Sequence, residues 1–491
     1  MSKRRNKEND IVVSFVGGSR DNITGSSVLI SYPIGNGEHK CICLECGMIQ
    51  GLNKPEIEYS ENKKMVENIP VKDISAVFVA HQHIDHTGSL SIFNENNGFN
   101  GIIITSEESM YITQDLLKDS VYLHENLVRY LRSIGKRPKP LYTSVDMYNM
   151  FDKMRFVDSH EIHKFDDWLS YEFYNSGHVV GGSQLKLYFK LPDNKRKSLV
   201  YTSDLGSSYN LEFKPFVKKM DIIPSANMYI FEATYSNAER CFSKKDSIEE
   251  RKDLKKLIKY KILNGDRVFF PAFSFGRTQE LMALMYDFFK DEEFFNDIPI
   301  VVDGKLTNTI CNTYSKVLKN EDKDKWEEIK NWKNFRYNKD YDGTLLQLAK
   351  RECGIYISSS GFIQAKTRSC DYVKNFLGRK NDLIVFVGFY GGIGSVGEQL
   401  VKSEKGDTIK IDNTTMIKHC DVVTYSSFSS HIQQDEIFKY WQSINADKIL
   451  IHHATEEGKK EMCEKGKLEL AKVNKTTKIV GVGKHASQFI L

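Results

Sequence analysis

The chain has 491 residues, of which 40% are hydrophobic and 27% charged, and its 69 Lys and Arg nearly balance 65 Asp and Glu for a net charge of +4. This profile excludes a largely disordered chain and a nucleic-acid binder working by a globally basic field, and at roughly 150 residues per domain it allows about three units or one core with a large insertion. No apolar run approaches the roughly 20 residues of a membrane span, the N-terminal MSKRRNKEND lacks the apolar core of a secretory signal, and nine cysteines suit free thiols in a reducing compartment, so the expectation is a cytoplasmic protein with no membrane partner.

The first part of the chain reads mainly as strands. IVVSFVGG, SSVLISYP, KCICLEC, SAVFVAH, GIIITS, LSYEFYNSG, QLKLYFKL and SLVYTSD are rich in β-branched and aromatic residues. Between them one long helix is predicted from about Ser109 to Arg132, where Ile112, Leu116, Leu117 and Val121 recur at helical spacing. After MYIFEATYS the pattern changes. ERKDLKKLIKYKILNG predicts an amphipathic helix ended by Gly265, and strands RVFFPAF, IPIVVDG, GIYISSS and DLIVFVGFY then alternate with helices. That alternation predicts a second, mostly parallel α/β sheet. EDKDKWEEIKNWKN reads as a solvated helix or loop within it. From about residue 416, VVTYSS, QQDEIFKYWQSI, KILIHH and KIVGVG form either a third domain or the completion of the first.

The sharpest chemical signal is His81-Gln82-His83-Ile84-Asp85-His86, directly after the apolar run Ala76-Val77-Phe78-Val79-Ala80. Residues i and i+2 of an extended segment point the same way, so His81 and His83 can grip one cation, and a turn lets Asp85 and His86 face a second. Further ligand types stand at other predicted strand ends: His178 in YNSGHVVGG, Asp204 after LVYTS and His452 after KILI. Seven nitrogen and oxygen ligands without cysteine suit two catalytic metals rather than a closed structural site.

HQHIDH, the GH of NSGHVVGG and SDLG together resemble the metallo-β-lactamase superfamily, whose fold is an αββα sandwich. FPAFSFGRTQEL, ISSSGF, FSSH and ILIHH narrow the resemblance to the β-CASP nucleases, closest in pattern to the cleavage-and-polyadenylation endonuclease and its prokaryotic relatives, with ribonuclease J more distant. The resemblance implies an α/β architecture: a metallo-β-lactamase αββα sandwich with an inserted β-CASP α/β domain. Residues 1–235 would form the first part of the sandwich, 236–415 the insertion and 416–491 the completion of the sandwich. It also implies two zinc ions per chain, one held by His81, His83 and His178, the other by Asp85, His86 and His452, with Asp204 bridging. Glu232, in FEATYS, matches the acidic motif at the domain junction, and His431, in FSSH, the histidine expected near the leaving group.

The implied activity is zinc-dependent hydrolysis of phosphodiester bonds in single-stranded RNA, with an RNA-processing endonuclease acting in a cleft between the domains as the reading. His431 is the candidate general acid and Glu232 its orienting carboxylate, while Asp85 can also accept the proton of the attacking water. Ser359, Ser429 and Arg277 are candidates to bind the substrate. The alternatives are a 5′-to-3′ exonuclease or DNA nuclease of the same fold, and a catalytically silent RNA-binding scaffold. The oligomeric state is left open, a homodimer included.

Two positions depart from the family pattern. Glu45-Cys46-Gly47 stands where the family has Asp-Cys-Gly, and His453 replaces the glycine after the last ligand histidine. Two other motifs are set aside. GIGSVG, with Gly392, Gly394 and Gly397, lacks the βαβ unit of a dinucleotide site, so no nucleotide cofactor is expected. Cys41-x-Cys43-x-x-Cys46 has the look of a metal site, but Cys41 and Cys43 alternate with Ile42 and Leu44 along a strand, so the cysteines read as small buried hydrophobes rather than ligands.

Overall fold

The computed structural model describes residues 10–18, 23–52, 54–237, 241–392, 394–483 and 487–491. The charged segment before Asp10 and Ile393 of the GIGSVG run lie outside the described residues. Two compact units emerge: Met1–Ser207, Val217–Glu239 and Ser430–Leu491 form the first, and Ser208–Phe216 with Arg240–Ser429 form the second.

The first unit contains two seven-stranded sheets. One runs in the order Gln488–Ile490, Val12–Gly17, Ser27–Gly35, Glu38–Leu44, Ile74–Phe78, Ile102–Thr105, Met154–Phe156, and the other Lys478–Gly481, Asn445–His452, Ser225–Glu232, Arg196–Tyr201, Ser183–Lys190, Leu169–Asn175, His163–Lys164. Strand periodicity sorts their side chains between layers. In Ser225–Glu232, Met228 and Ile230 join Phe15, Ile30, Ile42, Phe78, Leu187 and Leu450 in the core shared by the two sheets. The alternate residues Tyr229 and Phe231 face Ile437, Tyr440 and Trp441 of the helix Gln434–Ser443 and Met462 of Glu456–Ala471. On the opposite side Cys43, Val77, Val79 and Ile103 pack against Leu117 and Val121 of the helix Glu107–Ser133. Helices therefore cover both outer faces, giving the αββα sandwich. Cys43 and Cys46 are buried in that outer layer, and all nine cysteines are free thiols.

In the second sheet Asn445–His452 pairs in parallel with Ser225–Glu232, setting His452 opposite Glu232. The second unit is built on six strands in the order Phe335–Asn338, Ile300–Asp303, Gly354–Ser358, Arg267–Pro271, Leu383–Val387, Asp421–Tyr425, every neighbouring pair parallel. The sequence reading ends the insertion at residue 415. In the structure Asp421–Tyr425 pairs with Leu383–Val387, which carries the second unit to Ser429. The charged run at 320–330 is a helix, anchored by the fully buried Trp326. The GIGSVG loop opens a helix of 7 residues, Val396–Lys402, followed by the antiparallel hairpin Thr408–Ile411 and Thr414–Ile417.

Candidate metal centre

The apolar strand Ile74–Phe78 delivers the chain to His81, and a four-residue helix, Ile84–Thr87, then turns Asp85 and His86 back toward it. Two loops hold this turn through the backbone. Ser26 N–H donates to the Asp85 carbonyl at 2.8 Å, and Cys46 N–H donates to the His86 carbonyl at 2.9 Å. Gly47 is required by this approach, since a Cβ there would lie 1.7 Å from the Asp85 carbonyl oxygen. His178 and Asp204 come from loops of the second sheet, with Gly206 so close to the Gly177 carbonyl that a Cβ would lie 1.7 Å from it.

Two sets of ligand-type atoms converge. His81, His83, His178 and Asp204 form one group, each offering a nitrogen or oxygen within 4.8 Å of the others. His81 Nε2 is 2.7 Å from His83 Nδ1. Asp204 is shared, its Oδ2 lying 3.7 Å from His81 Nε2, 3.8 Å from His178 Nε2 and 3.3 Å from His86 Nε2. The second group is Asp85, His86 and His453. His453 Nε2 lies 3.4 Å from Asp85 Oδ2, and its Nδ1 lies 3.4 Å from Asp204 Oδ1.

The electrostatics suit cation binding. Burial, reinforced by the neighbouring imidazoles, holds His81 and His178 far below the usual histidine range, and His83 is lowered to about 4 by the same desolvation. These rings are neutral and their lone pairs available, as metal ligands must be. Burial opposes ionisation of Asp85 and Asp204 too. For Asp85, His86 and His453 outweigh it, and for Asp204, His453 and His86 do, so both carboxyls are held below their ordinary range. His86 is raised, because Glu45, Asp204 and Asp85 outweigh its burial. Asp204 Oδ1 and His86 Nε2 are buried and have no hydrogen-bond partner in the structure. Buried polar atoms left without partners are costly in a bare protein, and a divalent cation resolves that cost. The donor set fits divalent metal.

Glu45 answers the first departure from the family pattern. Its Oε2 is 2.5 Å from His86 Nδ1, Ser203 Oγ donates to Oε1 at 2.7 Å, and the Tyr201 hydroxyl also donates to Oε2. With Nδ1 so engaged, His86 turns Nε2 toward Asp85 and Asp204, the carboxylate–histidine relay that orients metal ligands. The backbone at Glu45 is left-handed, φ +58°.

A third group unites Asp204, Glu232 and His431. Glu232 is buried and accepts N–H donors from Leu205 at 3.0 Å and Thr234 at 2.9 Å, while His431 Nδ1 lies 3.2 Å from its Oε1. A carboxylate so saturated is better suited to hold His431 than to bind metal. The side chain of His431 keeps 21% exposure and its ring centroid is 4.6 Å from that of His178. Glu232 and Asp204 outweigh burial and raise the His431 pKa.

The histidine pair at the end of Asn445–His452 differs from the sequence expectation. His452 is expected beside Asp85 and His86, yet His453 is the residue placed there. His452 shares strand parity with Leu450 and so faces the space between the sheets. Its Nε2 is 3.2 Å from Ser26 Oγ, and its ring packs against Phe15 at 5.2 Å. His453 leaves the strand at φ +50° and turns its ring to the acidic cluster. The only sequence sign of this was the second histidine of ILIHH.

The substrate-binding candidates belong to the second unit. Ser359 follows Gly354–Ser358, and Ser429 is buried, its carbonyl accepting from Asn210 Nδ2 at 2.7 Å. Arg277 opens the helix Arg277–Phe289 and pairs with Glu280 at 2.7 Å.

Comparison with known proteins agrees with this architecture. A model of the metallo-β-lactamase superfamily matches residues 31–149 and a model of the Beta-Casp domain matches residues 278–400. The chain is 26% identical over 90% of its length to the Integrator complex subunit 11 homolog of Dictyostelium discoideum and 22% identical over 84% to Endoribonuclease YSH1 of Candida glabrata, but spans only 57% and 52% of those proteins. It is 25% identical to Probable RNase MJ4 of Methanocaldococcus jannaschii, covering 84% of this chain and 88% of that one. A crystal structure of an Enterococcus faecalis V583 protein of unknown function shares the fold at 14% identity with a TM-score of 0.54, over 98% of this chain and all of that one. Both family models match in order, and the sandwich of the one and the parallel sheet of the other are in place, so the chain carries a region of the metallo-β-lactamase superfamily followed by a Beta-Casp domain.

Proposed function

We propose that this protein is a zinc-dependent endoribonuclease that hydrolyses phosphodiester bonds of single-stranded RNA with two metal ions. The observation that carries the reading is the convergence of His81, His83 and His178 on one side of Asp204 and of Asp85 and His86 on the other. Zinc held by these residues would supply positive charge for the phosphoryl oxygens and acidify water at neutral pH.

The chain's own groups carry the remaining steps. Asp85, ionised and 19% exposed at its side chain, is placed to take the proton of the attacking water. Glu232, fixed by two backbone N–H groups, holds Nδ1 of His431, so that the other ring nitrogen can protonate the departing oxygen. The Glu232 carboxylate raises the His431 pKa, which favours the protonated ring that this task needs. Ser359, Ser429 and Arg277 would bind phosphate oxygens of the strand, although the ion pair with Glu280 gives Arg277 a structural duty as well. RNA rather than DNA as substrate rests on the similarity to Probable RNase MJ4 and Endoribonuclease YSH1. Retention of the full acid and histidine constellation favours an active enzyme over a silent RNA-binding scaffold.

The test is cleavage of end-labelled single-stranded RNA and DNA by purified protein of measured zinc content, beside Asp85→Ala. Internal RNA fragments from the wild type and none from the variant are expected. Intact RNA with the zinc-loaded wild type, or equal cutting by Asp85→Ala, defeats the proposal; release of single nucleotides from one end shifts it to an exonuclease.

A further inference from the structure

We propose that His453, not His452, supplies the imidazole that completes the second metal site beside Asp85 and His86, and that His452 is a positioning residue behind that site. The inference rests on the two-metal reading above and concerns which of two adjacent histidines serves it.

Hydrogen bonding assigns the His453 ring. The Thr234 hydroxyl donates to the carbonyl of His453 at 3.3 Å, so its oxygen is left to accept the Nδ1–H of the same residue at 3.0 Å. Nε2 lies 3.4 Å from Asp85 Oδ2, a contact bridged by a proton in the bare protein and open to a cation once that proton is released. Two acceptors at that separation need a proton or a cation between them, and an outer hydrogen bond from the far ring nitrogen is the usual mark of a metal-bound histidine. Backbone geometry agrees. The left-handed φ of +50° at His453 is uncommon for a residue with a side chain and swings its ring off the strand direction into the cluster.

His452 is built into the support instead. Its ring lies between Phe15 and Tyr201, at centroid distances of 5.2 Å and 6.5 Å, and a Cβ on Gly18 would come within 2.9 Å of its Cε1. Its Nε2 meets Ser26 Oγ at 3.2 Å, and the Ser26 N–H donates to the Asp85 carbonyl. Through Ser26, His452 steadies the turn that carries Asp85 without entering the ligand group.

The experiment compares wild type, His453→Asn and His452→Phe after dialysis against Zn2+ or Co2+, with metal counted by elemental analysis, affinity measured by chelator competition, and the Co2+ absorption bands recorded. Asn tolerates the left-handed backbone and Phe preserves the contact with Phe15; thermal melts verify folding of each. The expected result is two ions in wild type and His452→Phe with the same Co2+ spectrum, and loss of one ion, or at least tenfold weaker binding of it, in His453→Asn. Loss of the second ion in folded His452→Phe overturns the proposal, as does undiminished binding of both ions by His453→Asn. A wild-type protein that takes up fewer than two ions removes the two-metal reading itself, a separate failure visible before either variant is measured.

Discussion

Glu45 and His86 meet at 2.5 Å, carboxylate to Nδ1, and this contact decides which edge of the imidazole faces Asp204. Glu45 is fully buried and has Tyr201 and Ser203 as its other partners, so its orientation is overdetermined. Replacing Glu45 with Gln leaves the shape and removes the charge that fixes the ring. Metal affinity at the site of His86 should fall by about 10- to 100-fold, the usual cost of losing a ligand's outer partner. Chelator competition on the folded variant checks this, and unchanged affinity would show that Glu45 is merely packed there.

His431 should matter for turnover and not for metal. His431→Ala is expected to lower kcat by roughly 10²- to 10⁴-fold, the range for a positioned general acid, while both ions stay bound. Glu232→Gln should follow it in the same direction, because Glu232 holds His431 through Nδ1. Single-turnover cleavage with parallel metal analysis separates this from a structural collapse, in which both readouts would fall together.

Stripping the metal should destabilise the first unit. Asp204 and His86 would keep buried atoms without partners, and a ligand present at 1,000 times its Kd contributes about 4 kcal/mol. A chelator should therefore lower Tm, and added Zn2+ should restore it along with cleavage. A melting curve indifferent to the chelator, on protein shown to have lost its metal, would refute the account of the buried ligands.

His124 offers a pH test away from the site. It is buried in the helix Glu107–Ser133, its Nε2 accepts from Leu141 N–H at 3.1 Å, and desolvation lowers its pKa to about 4 despite the opposing charge of Glu125. The unfolded chain would bind this proton near pH 6.5, so its contribution is full above pH 6.5 and is lost as pH falls from there toward 4. NMR titration should give a midpoint near 4; a midpoint near 6.5 would contradict the buried neutral ring.

The convergence of His81, His83, Asp85, His86, His178 and Asp204 was legible because these residues stand at predicted strand ends, with three histidines and an aspartate within six residues. The sandwich was legible for a related reason: alternation in Ser225–Glu232 separates Met228 and Ile230 from Tyr229 and Phe231, as the pleat demands. What escaped was local geometry. Nothing in the composition of ILIHH says that the backbone turns left-handed at His453, and the half-buried edge strand Asp421–Tyr425, with Val422 and Val423 adjacent, carries no alternation that assigns it to one sheet over another. The role of Glu45 needed Tyr201 and Ser203, which are remote from it in sequence.

The pairing of Asn445–His452 with Ser225–Glu232 also has a consequence for how the protein is made. Most of the second unit, Arg240–Ser429, is continuous in the chain and can fold as soon as it leaves the ribosome, whereas the second sheet of the first unit must wait for a strand some 220 residues downstream of its neighbour. His81, His83, Asp85 and His86 are synthesised early, but His431 and His453 arrive only after the insertion. Order of synthesis thus acts as a timer: the group of His81, His83, His178 and Asp204 can close before the insertion is made, whereas that of Asp85, His86 and His453 is complete only after it.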